Sequence, residues 1–351
     1  METTSANPLL GLFLIAMGSM ASASFYLPFR KVKNIAWEVY WVIGGIFSWI
    51  IVPWVVAWLT VPDLGSVMHE VPWKDYLWPF VFGALWGVGG LTFGLTLRYL
   101  GVSLGTALAL VIISALGTLI PPIFKGTIDA MFESLPTAIP LLGVFVSFIG
   151  IAVTGQAGIM KDQEMPEEKK RETVKDFNLK KGLLVAFLSG IMSACFNFGI
   201  EAGESFARAA IKHGTDKIFS TNPVFLVILS GGFLVNFIWC FILAIRNNTL
   251  GDYIKTKDTP VLANLFFSAL AGTTWFMQMM FFGMGRSQMG NYEFAAWSIL
   301  MSLSIVFSTM WGFVMKEWAG SGKKTVRTVL VGLAILILST VIIGMGPKLF
   351  E

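Results

Sequence analysis

Residues Lys161–Lys181 read KDQEMPEEKKRETVKDFNLKK. The stretch is mixed in charge, has no apolar period and contains Pro166, which makes it a flexible linker in expectation. Its weight comes from what flanks it. Upstream, apolar runs fall near Leu9–Phe29, Ile35–Leu59, Tyr76–Leu97, Val102–Ile120 and Thr137–Thr154. Downstream they fall near Gly182–Ile200, Pro223–Ile245, Val261–Phe282, Asn291–Met315 and Val326–Met345. Each is close to the length of about 20 residues that carries a helix across a bilayer's hydrocarbon core. The charged stretch therefore splits the predicted spans into two sets of five. The expected organisation is a first unit over 1–160, a linker over 161–181 and a second unit over 182–351.

Composition agrees with an all-α integral membrane protein. Of 351 residues, 55% are hydrophobic and 13% charged, and the mean hydropathy is +0.73. Backbone groups in lipid must be satisfied within the segment, and these runs are too long and continuous for barrel strands. The formal charge of +4 is spread along the chain and forms no basic patch, which argues against nucleic acid as a partner. The first run is too long for a signal-peptide core and has no basic residues before it, so it reads as a mature helix. Cys195 and Cys240 lie inside apolar runs with no C-x-x-C spacing, as buried thiols do.

Lysines and arginines collect in alternate gaps. Arg30, Lys31 and Lys33, then Arg98, then the Lys161–Lys181 cluster, Arg246 to Lys257, and Lys316 to Arg327 all follow odd-numbered runs. Only Lys74, Lys125, Arg208, Lys212, Lys217, Arg286 and Lys348 lie on the other side. The positive-inside rule puts the basic gaps in the cytoplasm and both termini outside. Five spans is an odd number, so a repeated second half would enter the membrane upside down. Inverted repeats of this kind surround the midplane site of many transporters. Letter similarity between the halves is faint, as Tyr99–Leu108 against Tyr292–Leu300 illustrates, so the repeat is read from hydropathy.

Within the spans, Gly83/Gly87, Gly90/Gly94 and Gly101/Gly105 are spaced four apart, which suits close helix packing. Gly87 and Gly89 do not make a dinucleotide loop, because they lie inside an apolar helix. Ser48, Asn197, Asn236 and Gln278 are polar groups in apolar runs, with two readings: interhelical hydrogen bonds or ligand contacts. Trp86, Trp275 and Trp297 lie deep in their runs, away from the interfacial belts. A Trp face beside amides and hydroxyls suits a sugar, although core packing explains each ring as well. Tyr292, at the start of the ninth run, joins this candidate binding set.

Carboxylates carry the sharpest signal, because charge in a membrane is costly and commonly functional. Glu38 and Glu293 each stand about a turn inside a run and are the candidate proton carriers; helix-start capping is the competing reading. Glu38 also has Arg30, Lys31 and Lys33 within sequence reach. Glu201 and Glu204 are three apart and are expected to share a helix face, with Arg208 pairing Glu204 in solvent. The alternation of Phe206, Ala210 and Ile211 with Glu204, Arg208 and Lys212 predicts a short helix on the outer surface over Glu201–Gly214. Arg98 is expected to snorkel to the interface. His69 and His213 lack any metal-ligand spacing, and no metal or cofactor is expected.

The blocks Ser24-Phe25-Tyr26-Leu27-Pro28-Phe29-Arg30-Lys31, Gly44-Gly45-Ile46-Phe47-Ser48-Trp49, Phe82-Gly83-Ala84-Leu85-Trp86-Gly87, Leu97-Arg98-Tyr99-Leu100-Gly101 and Phe177-Asn178-Leu179-Lys180-Lys181-Gly182, with Trp275, Gln278, Trp297 and Lys316-Glu317-Trp318, resemble the L-rhamnose–proton symporters. These are a branch of the drug/metabolite transporter superfamily, and the resemblance runs through essentially the whole chain. It implies ten helices in two inverted five-helix repeats, and proton-driven uptake of L-rhamnose or a related 6-deoxy sugar across the bacterial cytoplasmic membrane. The chain departs from the family pattern at Gly90, where the family has Asn, at Glu293, where it has Asp, and at the acidic Glu201 and Glu204.

Proton-coupled import by alternating access is the expected function, with sugar, proton and membrane lipid as partners. The alternative is a facilitator or exporter of another small metabolite. An enzyme would need a nucleophile–base pair or metal cluster that the sequence lacks. The sequence leaves the oligomeric state open, a monomer included.

Overall fold

The computed structural model describes residues 7–164, 178–254 and 259–345. Among them it contains ten helices long and apolar enough to cross a membrane, and no strand. In chain order they are α1 (Pro8–Phe29), α2 (Trp37–Thr60), α3 (Trp73–Leu100), α4 (Val102–Phe124), α5 (Leu135–Glu164), α6 (Leu179–Ala202), α7 (Asn222–Arg246), α8 (Val261–Gln288), α9 (Ala296–Val314) and α10 (Lys323–Met345). Every apolar run of the sequence is a helix here. Asn7 and Asn178 cap α1 and α6, their side-chain oxygens accepting from Leu10 N at 3.2 Å and Lys181 N at 3.0 Å. The expected linker is shorter at both ends than its charge suggested: α5 continues to Glu164 and α6 opens at Leu179. Residues 165–177 of it lie outside the described residues.

The two sets of five helices interleave. Helix α3 packs on α6 and α7, while α8 packs on α1 and α2. In the same way α4 meets α6 and α9 meets α1, and α5 lies along α10. Glycines set the closest crossings. A Cβ on Gly83 would stand 2.0 Å from Ile228 O, and one on Gly231 2.2 Å from Phe80 O, so α3 and α7 touch backbone to backbone. Gly11 and Gly285 do the same for α1 and α8. Gly87 faces Gly232, as close packing predicted, but Gly90 and Gly94 meet nothing within 4 Å and are not packing residues.

One end of the bundle is basic. There Arg30 lies 3.7 Å from Glu317, Lys161 covers the Trp318 ring at 4.7 Å, and Glu164 accepts from Gly322 N and Thr325 Oγ1 at the start of α10. At the opposite end a short helix, Leu64–Glu70, is tied to the segment after α6. Glu70 accepts from Lys212 Nζ at 2.7 Å and sits 2.7 Å from His213 Nε2. The expected surface helix is present as Glu204–Lys212, with Phe206 buried edge-on against Tyr76 at 4.8 Å. Gly203 ends α6 before it, so Glu201 and Glu204 belong to different helices and do not share a face.

Candidate functional site

At the end opposite the basic one, the last turn of α8 carries Arg286. Gly285 beside it packs directly on Gly11 and Ile15 of α1, and the arginine itself is 7% exposed. A lone guanidinium would be costly in that position, and stays there only with counter-charges and hydrogen bonds around it. Two carboxylates supply them. Arg286 Nε donates to Glu293 Oε1 at 2.6 Å, and Nη2 donates to Glu201, which also pairs with Lys125. Arg286 Nη1 is buried and has no hydrogen-bond partner among the described residues.

Local backbone explains how the three meet. Gly290 takes φ +57, reversing the chain after α8, and a 3-10 turn, Gly290–Ala295, then swings Glu293 back towards Arg286. Glu201 lies in the final turn of α6 and points across to the same guanidinium. Glu204 faces outward and pairs with Arg208 at 3.5 Å. A cavity of about 480 Å³ adjoins this cluster, lined by Thr118, Lys125, Asn197, Glu201, Asn291 and Glu293 among others. That volume is in the range of small-molecule sites.

Below it lies a closed layer. Trp297 stacks on Phe196 with ring centroids 6.0 Å apart and donates from Nε1 to Ile113 O at 3.3 Å. Asn197 Nδ2 donates to Gly117 O at 2.7 Å, and Ser147 and Ser298 meet Oγ to Oγ at 2.8 Å. The hydroxyls of Ser114, Thr118 and Ser302, on the same helices, are buried without a partner among the described residues. On the basic-end side of this layer a second cavity, about 550 Å³ and largely apolar, opens between α1, α3, α4, α5 and α9; Phe25, Leu110, Met301 and Trp318 line it.

An aromatic cluster flanks that second cavity. Trp49 contacts Trp41, Trp86 and Trp275 at 6.1, 5.9 and 5.8 Å between centroids, and Trp86 lies 5.5 Å from Trp275. The π-helical turn Ile46–Ile51 carries Ser48 and Trp49 into it. Such turns inside α-helices are frequent at functional sites. The void lined by Trp41, Trp49, Trp275, Ser48, Phe25 and Phe29 is only about 10 Å³. Trp49 Nε1 is buried and has no hydrogen-bond partner among the described residues.

The structure therefore distributes the residues singled out in the sequence. Asn197 and Glu293 line the polar cavity, with Tyr292 buried beside Glu293 in the same turn. Trp86, Trp275 and Ser48 belong to the aromatic cluster, and Asn236 joins it by accepting from Trp41 Nε1 at 3.2 Å. Trp297 lies in the closed layer. Gln278 is buried where α8 crosses α1 at Gly18, its amide 4.0 Å from the Met279 sulfur. Glu38 stands apart, at the basic end. It is 1% exposed and accepts from Asn247 Nδ2 at 3.0 Å and Thr249 Oγ1 at 2.8 Å. These neutral donors, and not the nearby Arg30, Lys31 or Lys33, hydrogen-bond its carboxylate. Arg286, Lys125 and Trp49 are not among the candidate site residues of the sequence, and Glu201 is expected there only to share a helix face with Glu204. An arginine closing the apolar run MFFGMGR was the one available signal for the first of them.

A sequence profile of the L-rhamnose-proton symport protein family matches residues 4–348. An L-rhamnose-proton symporter of Yersinia pestis (strain Pestoides F) is 35% identical over 341 residues, covering 96% of this chain and 98% of the relative. One from Salmonella gallinarum (strain 287/91 / NCTC 13346) is 35% identical over 340 residues, covering 96% and 97%.

Proposed function

The chain belongs to the L-rhamnose-proton symport protein family, and from that premise we propose that it takes up L-rhamnose, or a closely related 6-deoxy sugar, together with protons. The observation that carries the reading beyond family membership is the ion cluster in the wall of the polar cavity. A transporter that couples to protons needs a carboxylate reachable from water and held where its charge affects the substrate site. Glu293, in contact with Arg286 and facing the cavity, meets both requirements, and it is the carrier we assign. Glu38, sealed among neutral donors at the other end, is a second candidate with a weaker route for protons.

In this reading the basic end faces the cytoplasm, as the positive-inside rule requires, and the polar cavity opens outward in a bacterial inner membrane. The sugar enters beside Asn197, Tyr292 and Glu293. Passage then needs the layer at Trp297, Ile113 and Ser147–Ser298 to part, connecting the polar cavity with the apolar one below. Trp86, Trp275, Asn236 and Ser48 become the inner contacts that apolar ring faces and amides offer a pyranose once the cluster opens from its resting void of about 10 Å³, while Gln278 adjoins them from the α1–α8 crossing. The pairing of α3 with α6 and α7, and of α8 with α1 and α2, supports two inverted five-helix repeats that rock about this path, as drug/metabolite transporters are expected to do.

The test is uptake of labelled L-rhamnose into liposomes with an acidic exterior, with and without an uncoupler. Uncoupler-sensitive accumulation is expected for the wild type, while Glu293→Gln should exchange sugar but not concentrate it. Accumulation in Glu293→Gln and its loss in a folded Glu38→Gln would transfer the coupling role to Glu38. No accumulation by folded wild type would remove the substrate assignment.

A further inference from the structure

The two carboxylates on Arg286 are not equivalent. Glu201 is 17% exposed and has two cationic partners, Arg286 and Lys125. Glu293 is 49% exposed, pairs among the described residues with Arg286 alone, and lines the cavity. The other charged group lining that cavity is Glu133. A proton arriving through the cavity therefore meets an accessible, singly paired carboxylate before a sheltered, doubly paired one. We propose that the Arg286 guanidinium is the donor that binds the sugar's hydroxyls, and that Glu293 occupies it until protonated. This deepens the reading above and rests on it.

The chemistry balances without any further reactant. A proton adds to a Glu293 oxygen and forms an O–H bond; the carboxyl group becomes neutral and its attraction for the guanidinium falls away. Arg286 keeps its own charge and remains anchored by Glu201. Its Nε is then free, in addition to Nη1, which has no partner already. Two charge-assisted N–H donors become available to neutral hydroxyl acceptors. The charges also select the class of ligand. With Glu293 protonated, Arg286 and Lys125 are balanced in charge by Glu201 and by Glu133 in the cavity lining, so no cation is spare for a sugar acid, and a neutral sugar fits. Coupling follows by linkage: if the proton raises sugar affinity, the sugar raises proton affinity by the same factor.

The test is equilibrium binding of L-rhamnose to purified full-length protein across the acid-to-neutral range. Wild-type affinity should fall by about tenfold per pH unit once Glu293 ionises, as expected for one linked proton. Glu293→Gln should bind as the wild type does in acid, at every pH. A Glu293→Gln profile that keeps the wild-type slope overturns the proposal. Arg286→Lys keeps the charge but loses the planar fork; it should bind weakly throughout, and wild-type affinity and slope in that variant also overturn the proposal. Glu201 is a positioning residue, and Glu201→Gln should displace the profile along the pH axis without flattening it; a profile that stays in place removes that role. If neither wild type nor Glu293→Gln binds L-rhamnose at any pH, the substrate assignment fails, and the latch is judged without sugar by infrared titration. A carboxyl band that is absent in Glu293→Gln and moves in Arg286→Lys supports it, and a band unchanged in both overturns it.

Discussion

Ser147 on α5 and Ser298 on α9 share a hydrogen bond of 2.8 Å, both fully buried, in the layer between the two cavities. Ser147 also lies 2.6 Å from Val144 O, which takes its proton, so Ser298 is the donor across the helices. The bond is thus directional, and its two halves are not interchangeable.

Removing the acceptor leaves a buried donor stranded, whereas removing the donor does not. Ser147→Ala should therefore cost more stability than Ser298→Ala, with the bond itself contributing on the order of 0.6 kcal/mol in a membrane interior. Thermal unfolding in detergent measures the order, and the reverse order would show that Ser147 donates across the interface.

Gly83→Ala and Gly90→Ala make a matched pair on one helix. The first forces a methyl group to 2.0 Å from Ile228 O, and overpacking of this kind costs about 1–3 kcal/mol or more. The second meets open space and should be neutral or slightly stabilising, since Ala is the better helix former by up to about 1 kcal/mol. Equal effects on folded yield and melting temperature would contradict the α3–α7 contact.

Trp49→Phe keeps an aromatic ring in the cluster and deletes an indole N–H that has no partner. Removing a stranded buried donor offsets part of the packing lost with the smaller ring, so folding stability should change little, by about 1 kcal/mol or less. The Trp49 ring stands against the proposed inner contacts Trp86 and Trp275 and its Nε1 would donate to the sugar there, so sugar affinity should fall by about tenfold, the worth of roughly one hydrogen bond. Calorimetry on the variant separates the two effects; unchanged affinity returns Trp49 to packing.

The clasp at Glu70 predicts a pH effect outside the membrane. Its carboxyl is held below the usual glutamate range by hydrogen bonds from Lys212 and then His213; Asp63, 3.9 Å from His213 Nδ1, is likewise lowered, chiefly by its bonds to Ser66. A depressed folded-state value means a contribution fully present above the ordinary glutamate pKa and lost as pH drops through the lowered one. Melting temperature should show this acid loss in the wild type and less of it in Glu70→Gln. Identical acid limbs in the two proteins would assign it elsewhere.

Hydropathy made the helices legible because a membrane imposes its thickness on one dimension of the sequence. Contacts across helices left no such mark. Glu201 and Glu204 look alike in sequence, and only the break at Gly203 turns one inward to Arg286 and the other out to Arg208. Arg286 counts as one more basic residue near a helix end until the turn at Gly290 brings Glu293 back to it. Trp49 is one apolar residue in an apolar run, and nothing in the letters announces a π-helical turn. Glu38 was visible as a buried acid, but its partners arrive from Asn247 and Thr249, over two hundred positions away.

The interleaving of the two halves also bears on how the chain is made. Helix α3 leaves the ribosome with its glycine face at Gly83 and Gly87 bare, because α6 and α7 have not yet been synthesised. Helix α1 waits still longer, until α8 follows. Insertion into lipid must therefore run well ahead of assembly, with early helices parked in the bilayer as independent cylinders. Each half keeps a face unfilled until the other is made, so a nascent chain cut after α5 would still lack the partners that α6, α7 and α8 supply to α3, α1 and α2.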